Sequence, residues 1–355
     1  MATGGKWDAT SLPRRPGLYI NFVEAAAAQI KGGARGVVAI PLKSYTGGTA
    51  SAETFYTVTT EKEATDLFGS ANIQSIKFAL QGGAKEVLVY TMPESPTTQD
   101  FADMRAAFDA RPFNVFVYDD NADSAEQDAA LAWMKTNKDE GKHFMIVFGG
   151  SSADDNDPAV GDARSIRLAD DYAVNLITGV KIGGTSYSSA QYAPFIAGLI
   201  AGTPINKSIT YAQVPVDDVT KRLTNSQIKT SLEKGSLVLV HDGEKVKVEQ
   251  GICTSSTASK TVKIRTIRAR QAVSMDVTKT AADAYIGKID NNPDGQAALI
   301  AAVKAYLERL QASNVLMDPV VTLDPQFQSV GDSVYLLISY VEVDSMERIF
   351  LTINV

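Results

Sequence analysis

The chain has 355 residues, 45% hydrophobic and 21% charged, which places it among globular proteins long enough for two or three domains with real cores. Its net charge of −7 is spread without a basic block, which argues against nucleic acid as a main partner, since duplex binding needs a concentrated positive surface. A single cysteine, Cys253, excludes an intrachain disulfide and fits assembly in the cytoplasm.

Residues 1 to about 16 are small, polar and Pro-containing and read as a flexible leader, without the apolar h-region of a secretory signal. "GLYINFVEA" then reads as a strand, and "GGARGVVAIPL" as a second strand after a Gly-rich turn, with "EAAAAQIKGG" between them as a short helix or connector. From about residue 60 helices and strands alternate. "EKEATDLFG" and "NIQSIKFALQGG" are predicted helices, the second stopped by Gly82-Gly83. "KEVLVYTM", "FNVFVYDD" and "KHFMIVFGG" are buried-type strands separated by the predicted helices "TTQDFADMRAAFDARP" and "NADSAEQDAALAWMKTNKDEG". This alternation predicts a layered α/β domain with parallel pairings. "SSADDNDPAVGDA" is expected to be a polar loop, "ADDYAVNLITGV" to lead into a strand, and "GTSYSSAQYAPFIAGLIAG" to form a helix.

After residue 205 strand-like runs dominate: "SITYAQV", "GSLVLVHDGEKVKVEQGICT" and "KTVKIRTIRAR". Helices are predicted near 276–288 and 294–311. In the second, Leu299, Val303, Tyr306, Leu307 and Leu310 share one face, with Lys304 and Glu308 opposite. "SVYLLISYVEVDSMERIFLTINV" reads as two strands around a turn near Asp344. No stretch approaches the roughly 20 apolar residues of a membrane helix, so no membrane insertion is expected.

The patterns that carry enzyme chemistry do not assemble. The histidines, His143 and His241, lie far apart in sequence, neither in a metal-binding motif, and both read as polar residues at strand ends. No G-x-S-x-G elbow, phosphate-binding loop or G-x-G-x-x-G turn occurs. Asp155 and Asp157 have calcium-loop spacing, but Ala159 and Val160 stand where a third ligand and the turn glycine belong, so a solvated loop is expected. The basic run "KTVKIRTIRAR" lacks stacking aromatics and reads as a solvated strand or a patch facing an acidic protein. Gly198-x-x-x-Gly202 sits in too short an apolar run for a membrane dimer, which leaves close packing inside a soluble fold. No catalytic residue, metal site or cofactor is expected.

The termini are unusual. Leu351, Ile353 and Val355 alternate with Thr352 and Asn354, and near the start Leu18, Ile20 and Phe22 alternate with Tyr19, Asn21 and Val23. An apolar terminal strand must pair within its own domain or add to a neighbour's sheet, because an open edge invites aggregation. Contacts of the second kind do not close on themselves and build rings or helices.

"FIAGLIAGTPINKSITYAQV" resembles a segment of contractile-tail sheath proteins, compact sheaths of Gram-positive myophages, defective prophages and phage-tail-like bacteriocins among them. "RPGLYINF", "RGVVAIPL", "KEVLVYTM", "KGSLVLVHDGEKVKVEQGICT", "DAYIGKIDNN" and "ALIAAVKAYLERL" extend the resemblance, in order, over nearly the whole chain. The fold it implies is α/β and α+β, a layered α/β domain inserted into a mixed α+β sheath core with extended terminal strand arms. The implied divisions are a leader and strand arm (1–24), the first part of the core (25–49), a variable outer α/β domain (50–185), the C-terminal core (186–344) and a C-terminal strand arm (345–355).

The implied role is structural: subunits stack as hexameric rings around a tail tube and contract to drive the tube through a cell envelope, without nucleotide hydrolysis. The implied partners are further copies of the chain, the tube protein, and baseplate and tail terminator proteins, in a virion or tail-like particle assembled in the bacterial cytoplasm. The resemblance assigns neighbour linkage to Leu18, Tyr19, Ile20, Phe22 and Val23 in the N-terminal arm and to Ile349, Leu351, Ile353 and Val355 in the C-terminal arm. By the same carry-over Lys304 and Glu308 are candidates for tube contact. The competing readings are an α/β enzyme, or a monomeric binding module, with an unrecognised site in 50–185.

Overall fold

In the computed structural model, which describes Ile30, residues 35–256 and residues 262–353, the strand Val37–Leu42 (β1) is buried at every position. A strand apolar throughout belongs in a sheet covered on both faces. Phe55–Val58 (β2), Glu61–Phe68 (α1), Gln74–Gly82 (α2), Glu86–Thr91 (β3), Thr98–Asp109 (α3), Val115–Val117 (β4), Ser124–Asp139 (α4), Met145–Phe148 (β5), Pro158–Arg167 (α5) and Ala173–Asn175 (β6) follow in order. The strands form one six-stranded sheet, β2-β3-β1-β4-β5-β6. All neighbours pair in parallel except the edge strand β2, which runs antiparallel to β3. Val38 of β1 faces Val87 on one side and Val115 on the other. Thus β1, which precedes the expected division at residue 49, is a central strand of the sheet that the 50–185 segment completes.

Local chemistry sets the helix starts. Thr60 and Thr97 each form a capping box, accepting from the N3 amide while the N3 carboxylate accepts from the cap backbone. Phe108 of α3 and Trp133 of α4 meet Phe113, Phe116 and Phe144 in an aromatic cluster against β4 and β5.

The chain continues through Val180–Ile182 (β7), Thr185–Tyr187 (β8), Ser189–Gly202 (α6), Gln213–Val214 (β9), Asp218–Val219 (β10), Asn225–Glu233 (α7), Leu239–His241 (β11) and Val246–Val248 (β12). These strands make two small sheets, β10-β7-β8 and β11-β12-β9. Helix α6 is buried along nearly its whole length, and its small residues let it touch α2 backbone to backbone. A Cβ on Gly198 would lie 2.0 Å from the Ala79 carbonyl oxygen, and one on Gly202 2.1 Å from that of Gly83. From the other side, a Cβ on Gly82 would lie 2.2 Å from the Phe195 carbonyl oxygen. The Gly-spaced run is therefore the contact surface of a close helix pair.

Ile264–Ala284 (α8), Pro293–Ala312 (α9), Leu316–Leu323 (β13) and Leu336–Glu342 (β14) complete the described fold. They share a second core, in which Ala269 and Val273 meet Val303, Tyr306, Leu307, Leu310, Val315, Leu316, Val321 and Ile30. The predicted α9 stripe is the inward face. The whole is a mixed α/β and α+β architecture.

Three local expectations differ. Ile264–Ala284 is helical where the run through Arg270 suggests a strand. Arg265 and Arg268 are both buried, donating to the Asn314 and Thr203 carbonyls, so two cations interrupt the apolar stripe that would have marked a helix. Residues 208–212 form no strand, because Tyr211 has a φ of +58°, a left-handed turn that breaks extension. The stretch expected as a polar loop holds a 3-10 turn and α5, with Asp157 capping the Ala159 amide and Pro158 in the first turn.

Candidate assembly surface

The strands β13 and β14 form a two-stranded sheet. Leu316 and Val321 are buried in the second core, and Leu336, Ile338 and Tyr340 pack against it, which gives one face to α8 and α9. Met317, Val320, Leu337 and Val341 are exposed. Neither strand has a further partner among the described residues, so both edges present unpaired backbone groups.

Beyond β14 the chain joins no sheet among the described residues. The Val343 amide donates to the Val315 carbonyl at 3.1 Å. Asp344 pairs with Lys263 at 2.6 Å, and the Ser345 hydroxyl accepts from Arg265 at 2.7 Å. The Glu347 carboxylate turns inward and accepts from Thr210 Oγ1 at 2.8 Å and Gln250 Nε2 at 2.9 Å, with Lys263 Nζ at 3.0 Å. Burial pushes this carboxyl upward, but hydrogen bonds from Gln250, Lys263 and Thr210 with the Lys263 charge outweigh it and hold the group below the usual range. From Arg348 to Ile353 no residue makes a backbone hydrogen bond among the described residues. Phe350 is 89% and Leu351 81% exposed, and Met346, Ile349 and Ile353 are exposed as well.

The sequence-assigned residues divide accordingly. Ile349, Leu351 and Ile353 lie in this exposed tail and are not in a strand, so the second strand predicted around Asp344 does not form within the described chain. A strand needs a ladder partner, and none of the described strands pairs with this segment. Val355, and Leu18, Tyr19, Ile20, Phe22 and Val23 of the N-terminal arm, lie outside the described residues. Lys304 and Glu308 sit on the outer side of α9, both more than half exposed, with Nζ and Oε1 4.0 Å apart. Sequence reasoning missed Glu347, Lys263, Gln250 and Thr210. The one signal available was the charged "DSMER" interrupting an apolar terminus.

The two histidines are structural. His143 bridges the Tyr172 hydroxyl at 3.1 Å and the Ser274 hydroxyl at 2.9 Å, and burial with the nearby Lys138 charge lowers its pKa. His241 Nδ1 accepts from the Gly243 amide at 3.0 Å in a hairpin turn. Among the described residues no His, Cys, Asp or Glu group is arranged to hold a metal, and no helix is long and apolar enough to cross a membrane.

The family model of the phage tail sheath protein central domain matches residues 94–254, and that of the phage tail sheath C-terminal domain matches residues 256–355. The tail sheath protein of Clostridium phage phiCD119 is 24% identical over 322 residues, spanning 86% of this chain and 83% of that protein. In fold, the chain is similar to the sheath tail protein of Desulfitobacterium hafniense, with a TM-score of 0.74 at 22% identity over 94% of this chain and 99% of that one. It is equally similar to the helical sheath of the anti-feeding prophage in its contracted state, with a TM-score of 0.74 at 16% identity over 97% and 99% of the two chains. With two adjoining sheath domains matched across most of its length, the chain belongs to the phage tail sheath family.

Proposed function

We propose that this chain is the repeating subunit of a contractile tail sheath, stacked in hexameric rings around a tail tube and linked to its neighbours by exchanged terminal strands. The observation that carries the linkage is the C-terminal segment: tethered as far as Glu347, then without a backbone hydrogen bond among the described residues, with Ile349, Phe350, Leu351 and Ile353 exposed. Burying each such side chain in a neighbour would contribute roughly 1.5–3 kcal/mol, and the unpaired backbone would gain a ladder. The exposed faces and edges of β13 and β14 are surfaces of the complementary kind. Exchange of one arm per contact is directional, so it propagates a lattice. The N-terminal arm at Leu18, Tyr19, Ile20, Phe22 and Val23 acts in the same way.

In the assembled particle, a virion or tail-like particle built in the bacterial cytoplasm, the sheath also meets baseplate and terminator proteins. Contraction drives the tube through the target envelope, and the role is structural rather than enzymatic. The outer domain, 50–185, completes a sheet that includes β1 from the 25–49 segment, and the C-terminal core spans 186–344. Deleting residues 351–355, or Ile353→Pro, leaves a folded monomer that fails to form long sheaths in negative-stain microscopy. Tubes of normal length from both variants would overturn the arm mechanism.

A further inference from the structure

We infer that Glu347 is the positioning residue at the root of the C-terminal arm, the point at which the arm is pinned to its own subunit and beyond which, from Arg348, it is hinged. The inference deepens the proposal that this segment links neighbouring subunits.

Three separated parts of the chain converge on this one carboxylate. Thr210 comes from the turn after α6, Gln250 from the segment after β12, and Lys263 from the cap of α8. Thr210 Oγ1 is itself fixed by accepting from the Gly251 amide at 3.0 Å. The Glu347 side chain is only 9% exposed, as is fitting for a charge with several donors, because a buried carboxylate without them costs several kcal/mol. The neighbouring tie is of a different kind: the Asp344 side chain is 54% exposed, so its pairing with Lys263 is screened by water. A strand that served only as an adhesive edge would need no buried charge at its base. Here the tether stops at a single residue, and after Arg348 the exposed apolar run begins at Ile349. A fixed exit point with a free direction lets the arm stay seated in a neighbour while the two subunit bodies reorient.

Trypsin cleavage after Arg348 reads this tether directly, since protease subsites on both sides of the bond require residues 345–347 to leave their partners. The full-length chain is compared with Glu347→Ala, Glu347→Gln and Asp344→Ala, following release of the 349–355 peptide by mass spectrometry and sheath length by negative-stain microscopy. Glu347→Ala is expected to release the peptide at least about tenfold faster, since losing one partner of a buried pair opens the segment. Glu347→Gln, which keeps the shape and loses the charge, falls between, and Asp344→Ala stays within about twofold of the parent because exposed pairs are weak. Sheaths of Glu347→Ala are shorter than those of the parent. If the alanine variant does not fold, the glutamine variant carries the comparison. Equal release from parent and Glu347 variants overturns the tether, and faster release with sheaths of parental length overturns its positioning role. Normal sheaths from the 351–355 deletion would instead remove the arm mechanism itself, and peptide release would still decide whether Glu347 pins the segment.

Discussion

Asp155 illustrates how little a side chain's type says about its surroundings. It belongs to an acidic stretch expected to be solvated, yet it is buried and accepts from the Ser189 amide at 2.6 Å and the Ser189 hydroxyl at 2.5 Å, at the start of α6. Asp162 is buried too, accepting from Ser231 at 3.1 Å and Ser236 at 2.7 Å. Burial pushes the Asp155 carboxyl up to about 6, against the Ser189 hydrogen bonds that pull it down. The folded value lies above that of the unfolded chain, near 3.9, so this group's contribution to stability is complete below about pH 4 and is lost as pH rises through about 6. Asp155→Asn retains an acceptor for the Ser189 amide and cannot ionise. Its thermal unfolding is therefore expected to lack the part of the parent's loss between about pH 4 and 6, and at neutral pH it melts no lower than the parent. An identical pH profile for the two proteins would show that Asp155 is not the buried titrating group. Glu347 has the opposite sign, since its folded value is lowered: what it contributes is present at neutral pH and lost on acidification.

Among the elements, the α2–α6 pair is where sequence and packing agree most closely. The Gly198-x-x-x-Gly202 spacing was enough to predict a close approach, and the partner is the Gly82-Gly83 end of α2. Because the atoms met by an added Cβ are backbone carbonyl oxygens, no side chain can rotate away, and the helices must separate. Gly198→Ala is expected to lower stability by about 1–3 kcal/mol in denaturant titrations, the range typical of overpacking. No loss at Gly198 would mean that the pair tolerates separation. For α8 the outcome was the reverse, because buried Arg265 and Arg268 find carbonyl partners that no local pattern foretells. The α9 stripe was legible because all its apolar residues face one way on one helix.

For the whole molecule, the family relationship and the exposed C-terminal segment point to function in an assembly, and the outer side of α9 is where tube contact is proposed. Lys304 and Glu308 pair only across 4.0 Å on an exposed helical face, so they contribute little to the fold of one chain. The double reversal Lys304→Glu with Glu308→Lys preserves that pair and inverts its order along the helix. It is expected to leave the melting temperature of the free subunit within a degree or two while reducing sheathing of purified tubes several-fold at low salt. The deficit shrinks as added salt screens the contact in the parent. Unchanged sheathing at every salt concentration would take these residues out of the tube interface.

The sequence by itself determined what depends on neighbours a few residues away. The alternation of strands and helices through the α/β sheet, the inward stripe of α9, the hard stop at Gly82-Gly83 and the apolar character of the last residues all follow from periodicity and backbone chemistry. The tertiary structure decided what depends on a distant partner. It placed β1 at the centre of the sheet, turned the basic run into the start of α8, and brought Thr210 to Glu347 across 137 residues of chain. It also left the terminal segment without a strand partner among the described residues, since a β-ladder is a property of two segments and cannot be read from one. A charge's burial is likewise set by everything that surrounds it, so the Glu347 tether became visible only when its partners from three parts of the chain had been brought together.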